Sequence, residues 1–273
     1  MARDGLPPVL RGGPLLVGHR GAAGLAPENT MPSFREAVES WAVDMVELDV
    51  RASADGHCVV IHDATVDRTT NGTGPVAGMT LRELRELDAG ARFHAEDGST
   101  PFAGKGIGIS TIDEVLESFP DSRFTFEVKI GTAQEPMFEA IRRHGAEERV
   151  IAAGMNWRDR LMFEDYVGAI SGSTRDVRGF YMLHRAWCGR FWTRIADVFQ
   201  VPERQGRLRI VTPRFVRDAR AHGIPVHVWT VNDPADMARL LEWGVDGLIT
   251  DRPDLGVRVL ADHAGRPLPS ALR

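Results

Sequence analysis

Short hydrophobic runs alternate along the chain with segments in which hydrophobic residues return every three to four positions. The runs are Leu15-Leu16-Val17, Met45 to Val50, Cys58 to Ile61, Phe124 to Val128, Val150 to Ala153, Val226 to Trp229 and Gly247 to Ile249. Runs that are apolar on both faces mark strands buried in a parallel sheet. The segments between them carry helix punctuation. Thr30 is placed to cap a helix whose Phe34, Ala37, Val38 and Trp41 share one face. Thr111 and Glu114 form a capping box ahead of Val115, Leu116 and Phe119. Thr212-Pro213 and Asp233-Pro234 each open a helix that stops near a glycine, Gly223 and Gly244 respectively. Strands alternating with helices predict an α/β architecture on a parallel sheet.

Three stretches depart from the alternation. No helix fits between Val50 and Cys58, where Ala54-Asp55-Gly56 reads as a turn. Residues 63–110 are rich in Gly, Thr and Asp, with one short helical piece from Thr80 to Leu87, and read as an inserted lobe. Residues 171–210 contain Phe180, Tyr181, Trp187, Phe191 and Trp192 and read as a strand with an extra amphipathic helix. Length narrows the architecture further: 273 residues suit one large domain, since α/β barrels run to about 250 residues as a single unit.

The net charge of −5 and the scattering of the arginines give no sign of a nucleic-acid partner, which would need a basic stripe, and none is expected. Two cysteines, Cys58 and Cys188, lie outside any CxxC spacing and read as free thiols, Cys58 within a core run. The N-terminus has no apolar signal region, and no stretch approaches the roughly 18 apolar residues of a membrane span, so a cytoplasmic enzyme is expected.

Candidate chemistry shows where charged residues interrupt apolar strands. Glu47 and Asp49 are two apart in Met45 to Val50, so both project from one face while Val46, Leu48 and Val50 take the other. Glu127 and Lys129 repeat the arrangement. Buried charges need partners or a metal. Three converging carboxylates suit a divalent cation that prefers oxygen ligands, Mg²⁺, Mn²⁺ or Ca²⁺ rather than zinc; the competing reading is a salt-bridge cluster with Lys129 and Arg20. His19 and His62 each follow an apolar strand, which places both at strand C-terminal ends, the face of a barrel where active sites lie. Two histidines on that rim can share base and acid roles. Arg20, between glycines, offers a fork matched to a phosphodiester. Trp229 ends another strand and can form an apolar wall beside a substrate; His227, two residues earlier, reads as core. His144 and His222 stand at helix ends, His57 in a turn, and His94, His184 and His263 have no assigned partner.

These residues fall into short motifs in a fixed order: His19-Arg20-Gly21, Pro27-Glu28-Asn29-Thr30, Glu47-Leu48-Asp49-Val50, Asp55-Gly56, His62-Asp63 and Arg68 to Gly72, then Glu127-Val128-Lys129, Val228 to Asn232 and Gly244 to Pro253. The set, spanning about residues 15–256, resembles the glycerophosphodiester phosphodiesterase family. The resemblance implies a TIM-type (β/α)8 barrel of the PLC-like phosphodiesterase kind, lacking the second helix and carrying a small insertion after strand 3. It implies a barrel domain over residues 15–260, an inserted lobe over 63–110, and terminal extensions at 1–14 and 261–273. It implies one divalent cation, Mg²⁺ or Ca²⁺ (Mn²⁺ also fitting), on Glu47, Asp49 and Glu127. Acid/base catalysis would fall to His19 and His62, and phosphate or substrate contacts to Arg20, Lys129 and Trp229. The reaction implied is hydrolysis of a small glycerophosphodiester to glycerol 3-phosphate and an alcohol. Where the family usually has Ser-Phe after the fifth strand, this chain has Gly154-Met155-Asn156, which opens the question of the substrate wall.

Rival readings are a lysophospholipase D- or sphingomyelinase D-like enzyme on a bulkier lipid, a metal-dependent lyase or isomerase barrel, and a non-catalytic phospho-ligand binding barrel. The lyase would not need an arginine beside a histidine pair, and a dead binder would be expected to have lost part of the catalytic set.

Overall fold

The computed structural model describes residues 5–154, 156, 166–188, 191–193 and 195–269. Its centre is a ring of eight parallel strands: β1 (Leu15–His19), β2 (Met45–Ala52), β4 (Arg123–Val128), β5 (Val150–Ala153), β6 (Ala169–Ile170), β7 (Phe199–Pro202), β10 (Val226–Trp229) and β11 (Gly247–Thr250). Neighbours pair in parallel from β6 through β5, β4, β2, β1, β11 and β10 to β7. The seam between β6 and β7 closes through a parallel bridge at Ser171 and Val198. Gly172 N–H donates to Val198 O at 2.9 Å and Asp197 N–H to Ile170 O at 2.8 Å across it. The architecture is therefore the expected barrel.

Around it lie α1 (Met31–Arg35, continuing as a π-turn over Glu36–Ser40), α2 (Leu81–Arg85), α3 (Ile112–Ser118), α4 (Gln134–Arg143), α5 (Thr174–Arg185), α6 (Pro213–Ala221), α7 (Pro234–Glu242) and α8 (Pro253–Ala264). Their starts follow local chemistry. Thr30 accepts from Ser33 N–H at the start of α1, and Thr111 with Glu114 closes a reciprocal capping box on α3. Thr212 and Asp233 cap α6 and α7, each with proline in the first turn. Among the described residues no helix is long and apolar enough to cross a membrane.

One strand departs from expectation. Cys58–Val60 (β3) is not a stave of the parallel ring; it runs antiparallel to β2, with Val50 opposite Val60 and Ala52 opposite Cys58. With only a turn between them, the two runs can pair only as a hairpin, because a parallel return needs a crossover of about a dozen residues. No helix follows β2 directly; the insertion comes after β3, and it has its own small core in which Val59 and Ile61 meet Val66, Val76, Leu84 and Ile109. The aromatic stretch beyond residue 170 resolves into α5, β7 and a small hairpin, β8 (Arg204–Gln205) with β9 (Leu208–Arg209). Phe180 and Phe199, both fully buried, anchor it. The N-terminal segment also packs in: Val9 and Leu10 are buried against Leu15, Val17, Met45 and Ile249, and Arg123 donates to Val9 O and Arg11 O.

Period-2 alternation sorts each stave. Val46, Leu48, Val50, Phe124, Phe126 and Val128 point outward into the layer beneath the helices. The opposite parity points into the barrel, where Leu15, Val17, Met45, Ile151 and Ile249 fill one cluster. His227, Gln200 and Thr125 share the inward parity, with Gln200 donating to Thr125 at 3.1 Å. His227 is fully buried, as its place in the strand predicted, and neither ring nitrogen has a hydrogen-bond partner among the described residues. Burial, with the Arg123 charge adding to it, pushes its pKa down to about 4 from the ordinary 6.5. In the unfolded chain the ring takes up a proton below about pH 6.5; in the fold it does so only near pH 4. The unfolded chain therefore holds more protons in that window, and stability falls as pH falls through it. We predict that denaturant unfolding from pH 7 to 4 will show wild type losing roughly 3 kcal/mol more than His227→Leu. Equal pH slopes in the two proteins would refute this linkage.

Candidate active site

The inward parity that fills the barrel lower down delivers charge at its C-terminal rim. Strand register then decides which charges meet. His19 is paired with Glu47, and Asp49 with Glu127, at the level of the backbone. Glu47, Asp49 and Glu127 thereby bring one carboxylate oxygen each within 4.8 Å of one another. Asp49 is 1% and Glu47 5% exposed, so solvent screens neither charge well.

Cations answer the carboxylates unequally. Lys129 Nζ lies 2.9 Å from Asp49 and 2.7 Å from Glu127, and Arg20 Nε lies 3.2 Å from Asp49. Burial alone would raise the Asp49 pKa, but Lys129, Arg20 and the Asn29 side chain outweigh it and hold Asp49 below the usual carboxylate range. Among the described residues, Glu47 is met by His19 Nε2 at 3.9 Å and the Arg20 backbone N–H at 3.0 Å. Burial, and then the Asp49 charge, push Glu47 well above its ordinary range. The site thus carries more clustered carboxylate than its own cations neutralise. An all-oxygen set of this kind fits a hard divalent cation, so these three residues can hold a metal.

Each histidine is tied to an aspartate. His19 Nδ1 is 2.6 Å from Asp251 Oδ1, and Asn232 donates to the other Asp251 oxygen at 2.7 Å. His62 Nδ1 is 2.6 Å from Asp63 Oδ1. With Nδ1–H given to a carboxylate, Nε2 is left to take or give a proton. Burial would lower the His19 pKa, but the Asp251 hydrogen bond and the Glu47 charge reverse this and raise it. Asp63 is held down to about 2, chiefly by the hydrogen bond from Arg68. Arg68 also grips both oxygens of Glu28 at 2.7 and 2.8 Å, and Glu28 accepts from Arg20 at 2.8 Å. A continuous charged chain therefore runs from His62 through Asp63, Arg68, Glu28 and Arg20 to Asp49.

The structure brings all eight expected residues, His19, Arg20, Glu47, Asp49, His62, Glu127, Lys129 and Trp229, onto one cavity of about 630 Å³. His62 reaches it for a reason other than the one expected. It does not end a barrel stave; β2 runs past the rim and β3 brings the chain back, with Ile61 N–H donating to Asp49 O at 3.0 Å. The supporting residues Glu28, Asn29, Asp63, Arg68, Asn232 and Asp251 were not assigned roles from sequence. Asp63 adjoins its histidine, a usable signal, whereas Asp251 meets His19 only because β11 and β1 are neighbours in the closed ring. His184, given no partner, pairs with Asp218 at 2.6 Å beneath α5 and is structural. Met155, in the segment that departs from the family pattern, lies outside the described residues.

The chain matches the glycerophosphoryl diester phosphodiesterase family over residues 19–255. It belongs to that family. A glycerophosphodiester phosphodiesterase from Caldanaerobacter subterraneus subsp. tengcongensis is 35% identical over 253 residues, covering 88% of this chain and 95% of that protein. The crystal structure of a glycerophosphodiester phosphodiesterase from Agrobacterium tumefaciens is 28% identical, covers 88% of this chain and 97% of its own, and superposes with a TM-score of 0.72. An Oleispira antarctica phosphodiesterase, solved with its product sn-glycerol-3-phosphate, shares the fold at a TM-score of 0.73 and 23% identity, covering 91% of this chain and 96% of its own.

The family's His-Arg-Gly turn is built on backbone geometry. Arg20 sits at φ +51° and Gly21 at φ +91°. Asn29 N–H and the Ser33 hydroxyl both donate to Arg20 O at 3.0 Å, which holds the turn from below. A methyl group on Gly21 would collide with Ser33 as well as force a left-handed residue. Gly21→Ala is expected to cost more than about 1 kcal/mol of stability. Thermal unfolding checks this, and an unchanged midpoint would show the turn to be more compliant than its geometry indicates.

Proposed function

We propose that this protein hydrolyses glycerophosphodiesters to glycerol 3-phosphate and an alcohol, using a divalent cation and a histidine pair. The observation that carries the reading is the pairing of two aspartate-anchored histidines with a carboxylate cluster, an arginine and a lysine around one cavity. The family match and the 35% identical relative named for this activity support it.

Glu47, Asp49 and Glu127 would hold the cation, Mg²⁺ or Ca²⁺, with Mn²⁺ also acceptable to oxygen donors. When bound, it supplies Lewis-acid polarisation at a phosphoryl oxygen. Arg20 and Lys129 offer fixed positive charge to the phosphate as negative charge spreads over its oxygens. One of His19 and His62 takes the proton of the attacking hydroxyl through Nε2, and the other gives a proton to the alcohol oxygen as the phosphorus–oxygen bond breaks. Asp251 and Asp63 orient the rings, and Asp251 stabilises the charged form of His19. The attacking hydroxyl is that of water or of the glycerol C2; in the second route water opens the cyclic ester, and the products are the same. Trp229 forms an apolar wall beside the reacting group.

A panel of glycerophosphodiesters assayed for glycerol 3-phosphate release with EDTA, Mg²⁺, Mn²⁺ and Ca²⁺ tests the reading. Activity is expected to vanish in EDTA and return with a divalent cation. His19→Ala and His62→Ala should each lower kcat by about 10²- to 10⁴-fold, and full activity in both would remove them from the chemistry. Asp251→Asn and Asp63→Asn should lower it less, about 10- to 100-fold, as for groups that orient another. Wild-type rates in those two variants would leave the aspartates a structural role alone.

A further inference from the structure

The cavity extends well beyond the phosphate chemistry. In the closed ring, β6 and β7 stand across the barrel from β1 and β2, which carry His19, Glu47 and Asp49. On that far side the cavity is lined by Val177, Tyr181 and Met182 of α5, Leu208 and Ile210 around the β8–β9 hairpin, and Trp229.

Helical spacing shows how α5 comes to serve two neighbours. Residues 174, 177, 178, 181 and 182 recur at three- and four-residue intervals and all line the cavity. Phe180 and His184, on a different face, are buried against Phe215 of α6. An apolar wall that none of the described elements covers is informative where a scattered surface leucine is not. Met182 is 67% and Leu208 48% exposed, so these side chains stand open at the mouth. The stave ends between wall and carboxylates carry Ala153, Gly154, Ser171 and Gly172, whose small side chains leave the floor clear. Thr174, Arg178, Gln200 and Gln205 also line this side, and of these Arg178 and Gln205 are exposed to water. The open surface of the wall is nonetheless largely the carbon of Val177, Met182, Leu208 and Trp229, and a hydrocarbon chain laid against it would remove that surface from water.

We propose that this half of the cavity is a hydrocarbon subsite, and that the substrate class is a phosphodiester bearing a single acyl or alkyl chain. The proposal rests on the phosphodiesterase reading above and adds the nature of one ester arm. The chemistry is unchanged: the attacking oxygen bonds to phosphorus, the phosphorus–oxygen bond to the alcohol breaks, and the alcohol leaves with a proton from a histidine.

Two homologous series, kept below micelle-forming concentration, test it. One carries acyl chains of increasing length on the glycerol of a glycerophosphocholine; the other carries n-alkyl chains on the leaving alcohol of a glycerophosphodiester. In whichever series places its chain in the subsite, kcat/KM should climb about three- to fourfold per methylene and then level off once the cavity is full. The pair Met182→Glu and Leu208→Asp should flatten that climb. The gain is read as a ratio of long-chain to chainless substrate within each protein, so a general loss of activity cancels. Series that are both flat or falling, with the chainless diester hydrolysed, would overturn the hydrocarbon subsite and leave the phosphodiesterase reading intact. No hydrolysis of any diester would overturn that reading, and the subsite with it.

Discussion

Buried negative charge at the barrel rim is the constraint from which most of this site follows. Three carboxylates share a space from which water is largely excluded, and Asp49 is the innermost of them. A carboxylate in that position survives as an anion only with cations and N–H groups directly upon it. Lys129 and Arg20 supply the first, and Asn29 the second. Placing Arg20 there requires a left-handed residue beside Gly21, and holding its other guanidinium edge brings in Glu28 and then Arg68. What looks in the sequence like a scatter of short motifs is one electrostatic problem and its successive answers. The residual imbalance at Glu47 is what makes the cluster receptive to a further cation.

The two histidines are held by the same chemistry through unrelated routes. His19 is fixed by the barrel itself: its stave and that of Asp251 are hydrogen-bonded neighbours, and Asn232 locks the carboxylate. His62 is fixed by the excursion between β2 and the next stave, and its aspartate is clamped by Arg68 from the same excursion. Similar Nδ1 anchoring on both rings leaves similar free nitrogens. In the reaction proposed above, which ring takes a proton and which gives one would be set by where the substrate lies between them.

What was legible in the sequence divides along physical lines. Alternation within a strand is local, so Glu47 with Asp49, and Glu127 with Lys129, could be placed on one face from spacing alone. Helix starts at Thr30, Thr111, Thr212 and Asp233 were legible because caps are local too. The pairing of His19 with Asp251 was not, since it spans 232 positions and exists only after the ring closes. Cys58 to Ile61 read as a buried parallel strand because its composition is apolar on both faces; the inserted lobe, not a helix layer, covers the second face. The two-residue stave Ala169–Ile170 leaves no periodic trace at all. The aromatic stretch around α5 was ambiguous because its helix is apolar toward two neighbours at once, the core and the cavity.

The return strand has a consequence for how this enzyme would fail. β3 hangs on β2 by a short antiparallel ladder; Cys58 and Val60 pack into the barrel's outer core, while Val59 and the following Ile61 belong to the core of the inserted lobe. Units with separate cores can open separately. The lobe beyond Val60 could therefore come loose while all eight staves remain paired, carrying His62, Asp63 and Arg68 away from carboxylates that stay in place. Such a molecule would keep its barrel and its carboxylate cluster yet have one of the two histidines proposed for proton transfer out of place, so on that proposal loss of turnover would precede loss of the fold.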